Sequence, residues 1–563
     1  MRKLRWQILV VVLTLIVVAV LLLTQHQPTQ NQTILPEPAS GGIYTEALVG
    51  SFGRLNPLLD LNNPADRDID RLLFSGLIRF DSRGVPQPDL AESWGISADG
   101  TIYNVTLRAN AVWQDGKPIT SDDVLFTISL LRSEFSAYSA DVKSMWDQVQ
   151  ITRLDDKNIK FTLPEPFVPF LDYLTFGVLP MHLLETVTAD QLSNASFNLS
   201  PIGSGPYKFD HLTIDNGQIT GVVLSVSSNY YGKTSFIDQI VFRYYSTGDQ
   251  ALAAFTQGEV LGISQIPAKN LANTCANTNL SCYSSRLPKL SLILFNLGNN
   301  DVAFFQDKKV RRALMAGLNR QLMVDSVLQG QAVVADSPLV PLSWAYYNGV
   351  EHIPFDPDTA TSELKAAGFV LPPNGTIRAK DTSALSFTMV YPDDALHAQL
   401  AQNIQQNWAA IGVEVKLKAV PYESLFSDYL TPRSYQAALV DLDLTRSYDP
   451  DPYPFWHQAE ITGGQNYSQW DNRTASEYLE QARVVADPNI RARLYRNFQV
   501  VFSRELPALP LYYPIYTFGV DQRVQGVQAI PLYEAADRFN GITNWFLVTR
   551  RALDQTVQPT VKP

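Results

Sequence analysis

The sequence contains few of the side chains that bind metal ions. Its 563 residues include only two cysteines and six histidines. The histidines are scattered along the chain, no two of them are spaced as i and i+4, and none lies near a cysteine. Because zinc sites need such ligands at short, regular spacing, the sequence predicts no metal site.

The short motifs of common enzymes are missing as well. No Gly-x-Ser-x-Gly segment is present to hold a nucleophile. Gly203 and Gly205 are followed by Pro206, which has no N–H group to offer a phosphate. Neighbouring acids such as Asp122 and Asp123 occur at predicted turns and helix starts, where carboxylates accept backbone N–H groups. We therefore expect no catalytic residue, no cofactor and no enzymatic activity.

Runs of basic residues are absent from the body of the chain. The net charge is −11 and charged residues make up 18% of the sequence, so nucleic acid is an unsuitable partner. The hydrophobic content of 45%, with 27 Phe and 25 Tyr, is typical of a globular protein. Since a single core stops growing at roughly 250–300 residues, a chain of this length is expected to form two or three lobes.

One long apolar segment stands at the N-terminus. Residues 8–23 carry no charge and follow three basic residues, so the positive-inside rule places the remaining chain outside the cytoplasm. As a helix this segment would span roughly 24 Å, between a signal-peptide core and a full membrane span. Residues 24–28 offer no small-x-small cleavage site and no cysteine for a lipid, which favours an uncleaved anchor over residues 1–24. A cleaved signal segment, which would release the protein into the periplasm, is the alternative.

Polar composition marks both ends of the exported part. Residues 25–42 are rich in Gln, Pro, Thr and Asn and predict a flexible linker, and residues 551–563 predict a disordered tail. Cys275 and Cys282 lie close in sequence on the exported side, where a disulfide between them is favoured and two free thiols are the alternative.

Hydrophobic periodicity between these ends predicts an α/β fold. Residues 396–411 place apolar side chains four apart and predict a helix that ends at Gly412. Residues 413–418 then alternate apolar and charged side chains, as a half-buried strand does. No repeat of 20–50 residues is present, which excludes solenoids and propellers.

Two more helices have recognisable ends. Asp356 is a predicted N-cap, Pro357 fits the first helical position, and Gly368 marks the end. Residues 310–322 repeat at helical spacing and predict one helix that extends to Gly330. Helices that alternate with strands build open sheets, and two such sheets that face each other form a cleft.

The most informative stretch lies between Pro88 and Val124. It reads PDLAESW at 88–94, DGT at 99–101, WQDGKP at 113–118 and TSDDV at 120–124. Asp-Gly at 99–100 tolerates the positive φ of a tight turn and predicts a hairpin. Thr120 and Asp123 form a variant of the capping box, so a helix is predicted to start near Ser121.

The order and spacing of these residues resemble the signature of the extracytoplasmic solute-binding proteins of dipeptide and oligopeptide ABC importers, solute-binding protein family 5. Further segments that resemble this family follow in order, so that the resemblance covers nearly the whole exported chain. They are SPIGSGPY at 200–207, LFN at 294–296, KVRRAL at 309–314, DPDPYPFW at 449–456, NYS at 466–468 and LPALPLY at 506–512. The resemblance implies an α/β fold of the periplasmic-binding-protein type II, class C, with two main lobes and an inserted extra lobe around a ligand cleft.

The resemblance also implies domain boundaries. The first lobe would combine residues 43–83, 203–290 and 512–550. Residues 84–202 would form the inserted second lobe, and residues 291–511 the C-terminal lobe. The lobes are expected to close on a ligand as a hinged clamp.

The proline-rich segment 449–456 is the predicted ligand-binding element, because a stiff backbone loses little freedom on binding. In peptide-binding relatives an aspartate three positions before an Asp-Pro pair receives the α-ammonium of the ligand. In this chain Tyr448 and Arg446 occupy those positions, so the pattern is not kept. Asp449 is the nearest acid, and it would bind the ligand or cap local amides.

Five further residues are candidates, each with a structural alternative. Arg446 would pair with a ligand carboxylate or with a neighbouring acid. Tyr453, Trp456 and Trp470 would contact the ligand or pack in the core. Asn296 would hydrogen-bond a ligand backbone or its own chain.

The function that follows is a receptor at the extracytoplasmic face of the cytoplasmic membrane. By the resemblance it captures a peptide or peptide-like solute and, as a monomer, delivers it to the permease subunits of an ABC importer. Three alternatives stay open at this point. They are a receptor for another solute (a nickel chelate, haem, an oligosaccharide or an opine), a sensory receptor, and a secreted hydrolase.

Overall fold

The computed structural model describes residues 2–25, 34–138, 140–341, 343–444 and 448–553. The chain divides into two compact units. The smaller unit is Met1–Ser40 with Val548–Pro563, and the larger unit is Gly41–Leu547.

Helices and strands alternate along the described residues, which confirms the predicted α/β class. The helices are α1 (Arg2–Gln25), α2 (Pro64–Leu73), α3 (Ser121–Arg132), α4 (Ala140–Gln148), α5 (Met181–Leu184), α6 (Gly248–Thr256), α7 (Leu271–Cys275), α8 (Lys308–Ala316), α9 (Arg320–Ser326), α10 (Pro357–Ala366), α11 (Ala395–Ala410), α12 (Tyr422–Ser424), α13 (Tyr453–Trp456), α14 (Arg473–Val484) and α15 (Pro488–Glu505). The strands are β1 (Ile34–Ala39), β2 (Ile43–Val49), β3 (Ile78–Phe80), β4 (Pro86–Pro88), β5 (Ala91–Ile96), β6 (Ile102–Leu107), β7 (Gln150–Arg153), β8 (Asn158–Thr162), β9 (Tyr207–Asp215), β10 (Gln218–Val226), β11 (Gln239–Tyr245), β12 (Gly262–Ile263), β13 (Leu280–Arg286), β14 (Lys289–Phe295), β15 (Ala332–Val334), β16 (Ala379–Lys380), β17 (Ser383–Ala384), β18 (Ser386–Pro392), β19 (Glu414–Val420), β20 (Ala437–Asp443), β21 (Ala508–Asp521) and β22 (Val548–Leu553).

The smaller unit contains α1 and one antiparallel strand pair. β1 pairs with β22 from Ile34 opposite Leu553 to Ala39 opposite Val548. The structure thus places a strand inside the segment predicted to be a linker. Residues 26–33 of that segment and residues 554–563 of the predicted tail lie outside the described residues. A search of the described residues finds no helix with both the length and the apolar character that a membrane span requires.

A twelve-stranded sheet is the frame of the larger unit. Its main path runs β19-β18-β20-β14-β21-β12-β2-β11-β10-β9, and β13 and β15 also pair with β21. Strand β21 is shared by the two halves of this path. Its first residues pair with β14, and residues 515–521 pair with β13. The two halves are therefore joined by β21 and by the short β13–β14 connection at Leu287 and Pro288.

Strands β14 and β20 are buried on both faces. Ile293 and Phe295 of β14 belong to one core, whereas Leu290, Leu292 and Leu294 belong to another. Side chains of a strand alternate between its two faces, so one continuous apolar run supplies both cores. Helices α8 and α11 contribute to the first core, and α14 and α15 contribute to the second.

A second sheet, ordered β5-β6-β8-β7, contains the first half of the most informative sequence stretch, and α3 begins in its second half. Its β5–β6 hairpin turns at Asp99 and Gly100, and Gly100 has a φ of +73°. Helix α3 starts at Ser121 with Thr120 and Asp123 in a capping box. Both local predictions are therefore confirmed. This sheet shares a core with β2 and α2.

The predicted helices after residue 300 are confirmed in two cases and corrected in one. Asp356 caps α10 and Pro357 is its first residue, while α11 ends before Gly412, which has a φ of +81°. The single helix predicted from residue 310 to Gly330 is wrong, because the chain forms α8 and α9 with a break between them. Asn319 accepts the amide of Leu322 and starts the second helix, a capping signal that the periodicity concealed.

Cys275 and Cys282 are joined by a disulfide between α7 and β13, with their Cα atoms 5.8 Å apart. The bridge closes a loop of a few residues beside a small core under α6.

Candidate functional site

The larger unit encloses a cavity of about 870 Å³. This volume lies within the range of about 300–1,000 Å³ that is usual for ligand sites. The lining comes from distant parts of the chain, chiefly residues 57–79, 131–138, 142–177, 230–233, 442–444, 448–456 and 533–543. The cavity therefore lies where segments that are far apart in the sequence meet.

Tyr448 and Asp449, which follow β20, contact residues from three other parts of the chain. The ring of Tyr448 stacks on Phe80 with centroids 4.4 Å apart, and its hydroxyl donates to Asp537 Oδ1 at 3.3 Å. The amide of Asp449 donates to Asp172 Oδ2 at 2.7 Å. These contacts hold the start of the segment after β20 against β3 and against the residues that follow β8.

The carboxylate of Asp449 is held by the protein itself. Arg491 of α15 donates to its two oxygens at 2.6 and 2.8 Å, and both side chains are about nine-tenths buried. Burial opposes the charge of Arg491, but Asp449 outweighs burial and raises the pKa of Arg491 above its ordinary value. Burial raises the pKa of Asp449 above its ordinary value, although the two charge-assisted hydrogen bonds from Arg491 oppose that rise.

Arg483 of α14 occupies a second ionic position beside the cavity. It donates to Asp451 Oδ2 at 2.7 Å and lies 3.4 Å from the ring centroid of Tyr453. On its other side the ring of Phe167 is 5.5 Å away. The guanidinium thus lies between an aromatic residue that follows β20 and one that follows β8, a favourable cation–π arrangement.

Two arginines one turn apart on α2 line the wall near Glu534. Arg71 contacts Glu534 directly, and Arg67 Nη1 lies 3.6 Å from the same carboxylate. Arg67 also lies 3.8 Å from Asp60. Residues four apart share one helix face, so α2 presents both charges to the same acidic partner.

Aromatic and basic residues form a further part of the lining around Asp89. Tyr231 donates its hydroxyl to the carboxylate of Asp89, and Arg108 Nε donates to the main-chain oxygen of Asp89 at 2.6 Å. The guanidinium of Arg108 lies 5.4 Å from the ring centroid of Tyr231. Burial raises the pKa of Tyr230 to about 12, so this hydroxyl stays protonated at neutral pH.

The sequence-predicted site residues are only partly brought together. Asp449 and Trp456 line the cavity. Trp456 is otherwise buried and meets Phe502 edge-on at 4.7 Å. Arg446 lies outside the described residues.

The other three candidates pack behind the cavity wall. Tyr453 stacks on His457 with centroids 3.9 Å apart. Trp470 belongs to the core that α14 and α15 share. Asn296 is 1% exposed and donates to the main-chain oxygens of Arg433 and Tyr435 at 2.8 and 2.9 Å. Of the two roles left open for Asn296, these bonds fit the one within its own chain.

Sequence reasoning missed most of the charged lining, including Arg71, Asp172 and Glu534. No local motif marks them, because each comes from a different segment. The adjacent pair Tyr230 and Tyr231, after the core strand β10, is the one local signal that could have been noticed. Among the described residues, no group of three or more His, Cys, Asp or Glu side chains is placed to hold a metal ion.

Comparison with known proteins adds an independent finding. Residues 85–466 match the family model described as "Bacterial extracellular solute-binding proteins, family 5 Middle". The chain is 27% identical over 522 residues to the oligopeptide-binding protein AppA of Bacillus subtilis, covering 91% of this chain and 92% of that protein. It is 26% identical over 469 residues to the dipeptide-binding protein of Escherichia coli, covering 79% of this chain and 84% of that protein.

Solved structures show the same similarity. AppA of Bacillus subtilis in complex with a nonapeptide matches with a TM-score of 0.72 and 26% identity, over 91% of this chain and 100% of that chain. NikZ of Campylobacter jejuni in complex with Ni(L-His) matches with a TM-score of 0.70 and 25% identity, over 90% of this chain and 99% of that chain. These matches confirm the predicted fold.

Proposed function

Because the chain belongs to family 5 of the bacterial extracellular solute-binding proteins, we propose that it captures peptides or peptide-like solutes and delivers them to an ABC importer. The permease subunits in the membrane are its partners in this proposal, and the protein acts as a monomer. Two of the relatives described above are named for oligopeptides and dipeptides, which supports the choice of solute.

The cavity is the observation that carries the proposal. In this proposal α2 with the segment after β8 forms one wall and the segment after β20 forms the other, and residues of all three line the cavity. A solute that touches both walls favours the state in which those walls are close, and ligand binding is thereby coupled to closure. The permease then distinguishes the loaded receptor by its shape.

The solute leaves unchanged in this proposal. The family consists of solute-binding proteins. The side chains that surround Asp449 and Asp451 are engaged in ion pairs, an arrangement suited to fixing geometry. We propose no catalytic residue and no cofactor.

A receptor for a different solute is the second candidate, and the similarity to NikZ with its bound Ni(L-His) supports it. The fold accommodates more than one chemistry, so the residues of the cavity decide the solute.

For the location, we propose the extracytoplasmic face of the cytoplasmic membrane, with the apolar N-terminal segment as anchor or as signal segment. The family is extracellular, and residues 8–23 carry no charge. Intact mass measurement of the protein from both the membrane and the soluble fraction of its native cells separates the two: an anchor keeps the N-terminus, whereas a signal segment is lost.

The test of the function is the identity of whatever the protein retains through purification. The full-length protein is purified without denaturation, then denatured, and the released small molecules are identified by mass spectrometry. Peptides are the expected result. Recovery of metal chelates or sugars without peptides would contradict the peptide assignment and favour the second candidate.

A further inference from the structure

The cations that line the cavity fall into two groups. Arg67, Arg71 and Arg483 each have an acidic partner. Arg67 and Arg71 share Glu534, and Arg483 pairs with Asp451. The charge of this group is balanced within the protein.

Arg79, Arg108 and Lys233 form the second group. Among the described residues, the Lys233 ammonium has one hydrogen-bond acceptor. It is the side-chain amide oxygen of Asn544, which is uncharged and lies 2.6 Å away. Arg108 uses its Nε for a main-chain oxygen, and its two terminal nitrogens bond no residue that the structure describes. Arg79 lines the cavity from β3, where its backbone pairs with β4, and its guanidinium forms no hydrogen bond or ion pair with residues in the described ranges.

One acid stands beside this group, and it is already engaged. Asp89 accepts the hydroxyl of Tyr231, and burial raises its pKa although this hydrogen bond and the charges of Arg79, Arg71 and Arg108 act in the opposite direction. Arg79 and Arg108 beside one buried and engaged carboxylate leave an excess of positive charge here, and Lys233 lines the same cavity.

A free guanidinium is suited to a carboxylate. It is planar, and two parallel N–H groups fit the two oxygens of a carboxylate. Tyr230 and Tyr231 line the same cavity and exclude part of the solvent, which strengthens such a hydrogen bond relative to one in bulk water. The lining acids Asp449 and Asp451 are bound to Arg491 and Arg483, so they offer less to an ammonium group.

We propose that Arg79, assisted by Arg108, binds a carboxylate of the solute and makes a negative charge the main recognition feature of this receptor. The inference rests on the proposed function and narrows it to peptide-like solutes with a carboxylate. That carboxylate belongs either to the C-terminus or to an acidic side chain, and the chemistry at Arg79 is the same.

Three pools of short peptides test this. The first has neutral side chains and a free C-terminal carboxylate. The second is the same pool with an amidated C-terminus, and the third is amidated but carries one glutamate. Full-length protein is dialysed against each pool, and the retained peptide is measured by mass spectrometry. We expect the first or the third pool to be retained about tenfold better than the second, and the better of the two identifies the source of the carboxylate.

Variants on one hairpin supply the control. Arg79→Gln removes the proposed contact, whereas Arg83→Gln removes an exposed arginine that pairs with Asp81 outside the cavity. Thermal unfolding of both checks that they fold. Arg79→Gln is expected to bring the retention ratio close to one, and Arg83→Gln is expected to leave it at the wild-type value.

The outcomes separate the inference from the function on which it rests. An unchanged ratio in Arg79→Gln, or equal retention of all three pools by the wild type, would overturn the inference while peptide binding stands. If the wild type retains none of the pools, the proposed function fails and the inference fails with it.

Discussion

Single residues in the cavity wall show that an acid in a ligand site is not always available to the ligand. Asp449 was the acid nearest to the family's ammonium-binding position. In the structure its two oxygens accept bonds from Arg491, and its amide reaches Asp172. Its side chain therefore shapes the wall and holds the segment after β20.

Asp449→Ala is expected to destabilise the fold. The substitution leaves Arg491 buried without its carboxylate, and loss of one partner of a buried ion pair costs about 3–5 kcal/mol. Urea unfolding of the variant and the wild type gives the difference in the free energy of unfolding.

Glu477→Ala is the matched control, because Glu477 pairs with Arg473 at an exposed site and such pairs contribute about 0–1 kcal/mol. If Asp449→Ala costs no more than this control, the ion pair with Arg491 does not stabilise the wall as described.

His397 supplies a prediction on pH. Burial lowers its pKa, but Asp441 and Asp394 outweigh burial and the net pKa is raised. The stabilisation from the charged ring is thus complete below the unfolded pKa of about 6.5 and is lost as the pH rises through the folded value. The stability advantage of the wild type over His397→Gln, measured by urea unfolding at a series of pH values, should shrink as the pH rises. An advantage that is constant across the series would rule this out.

At the scale of elements, the sequence predicts best where one local signal decides the outcome. The hairpin at Asp99 and Gly100 and the capped ends of α3 and α10 follow from residues that contact each other within one turn. The break between α8 and α9 was missed because apolar periodicity continues across it. Asn319 is the N-cap of a new helix at that point, although the apolar side chains keep the spacing of a single helix.

Close approach between elements was not predictable. A methyl group on Gly203 would overlap the carbonyl oxygen of Leu73 at the end of α2, while nothing lies within 4 Å of the same position on Gly95 in β5. The segment 200–207 therefore needs glycine in order to contact the helix end. Its sequence signature says nothing about that contact.

Gly203→Ala is expected to lower the free energy of unfolding by about 1–3 kcal/mol, the usual cost of overpacking. Gly95→Ala is the control, and its effect should stay within about 0.5 kcal/mol. Both variants are measured by urea unfolding. Equal changes in the free energy of unfolding would show that the backbone around Leu73 moves aside at no cost in stability.

At the scale of the whole molecule, the resemblance identified the fold and the comparisons confirm it. The cavity lining could not be read from the sequence, since α2, the segment after β8 and the segment after β20 contribute side chains that are hundreds of residues apart. Trp470 and Asn296 stay predictions as ligand contacts. The contacts that they make within the protein, to Phe502 and to the main chain of Tyr435, exist only in three dimensions.

Coupling between the walls is the property on which the whole account depends. Phe80 stacks on Tyr448 and Asp172 binds the Asp449 amide, so the segment after β20 contacts both β3 and the residues after β8, and a solute that stabilises closure should protect these segments together.

Hydrogen–deuterium exchange of the full-length protein, with and without the retained peptide pool, tests this claim most directly. The account predicts that exchange slows jointly in residues 71–80, 167–177 and 448–456, while the outer strands β18 and β19 keep their rates. Protection of a single wall, or of surfaces away from the cavity, would contradict it.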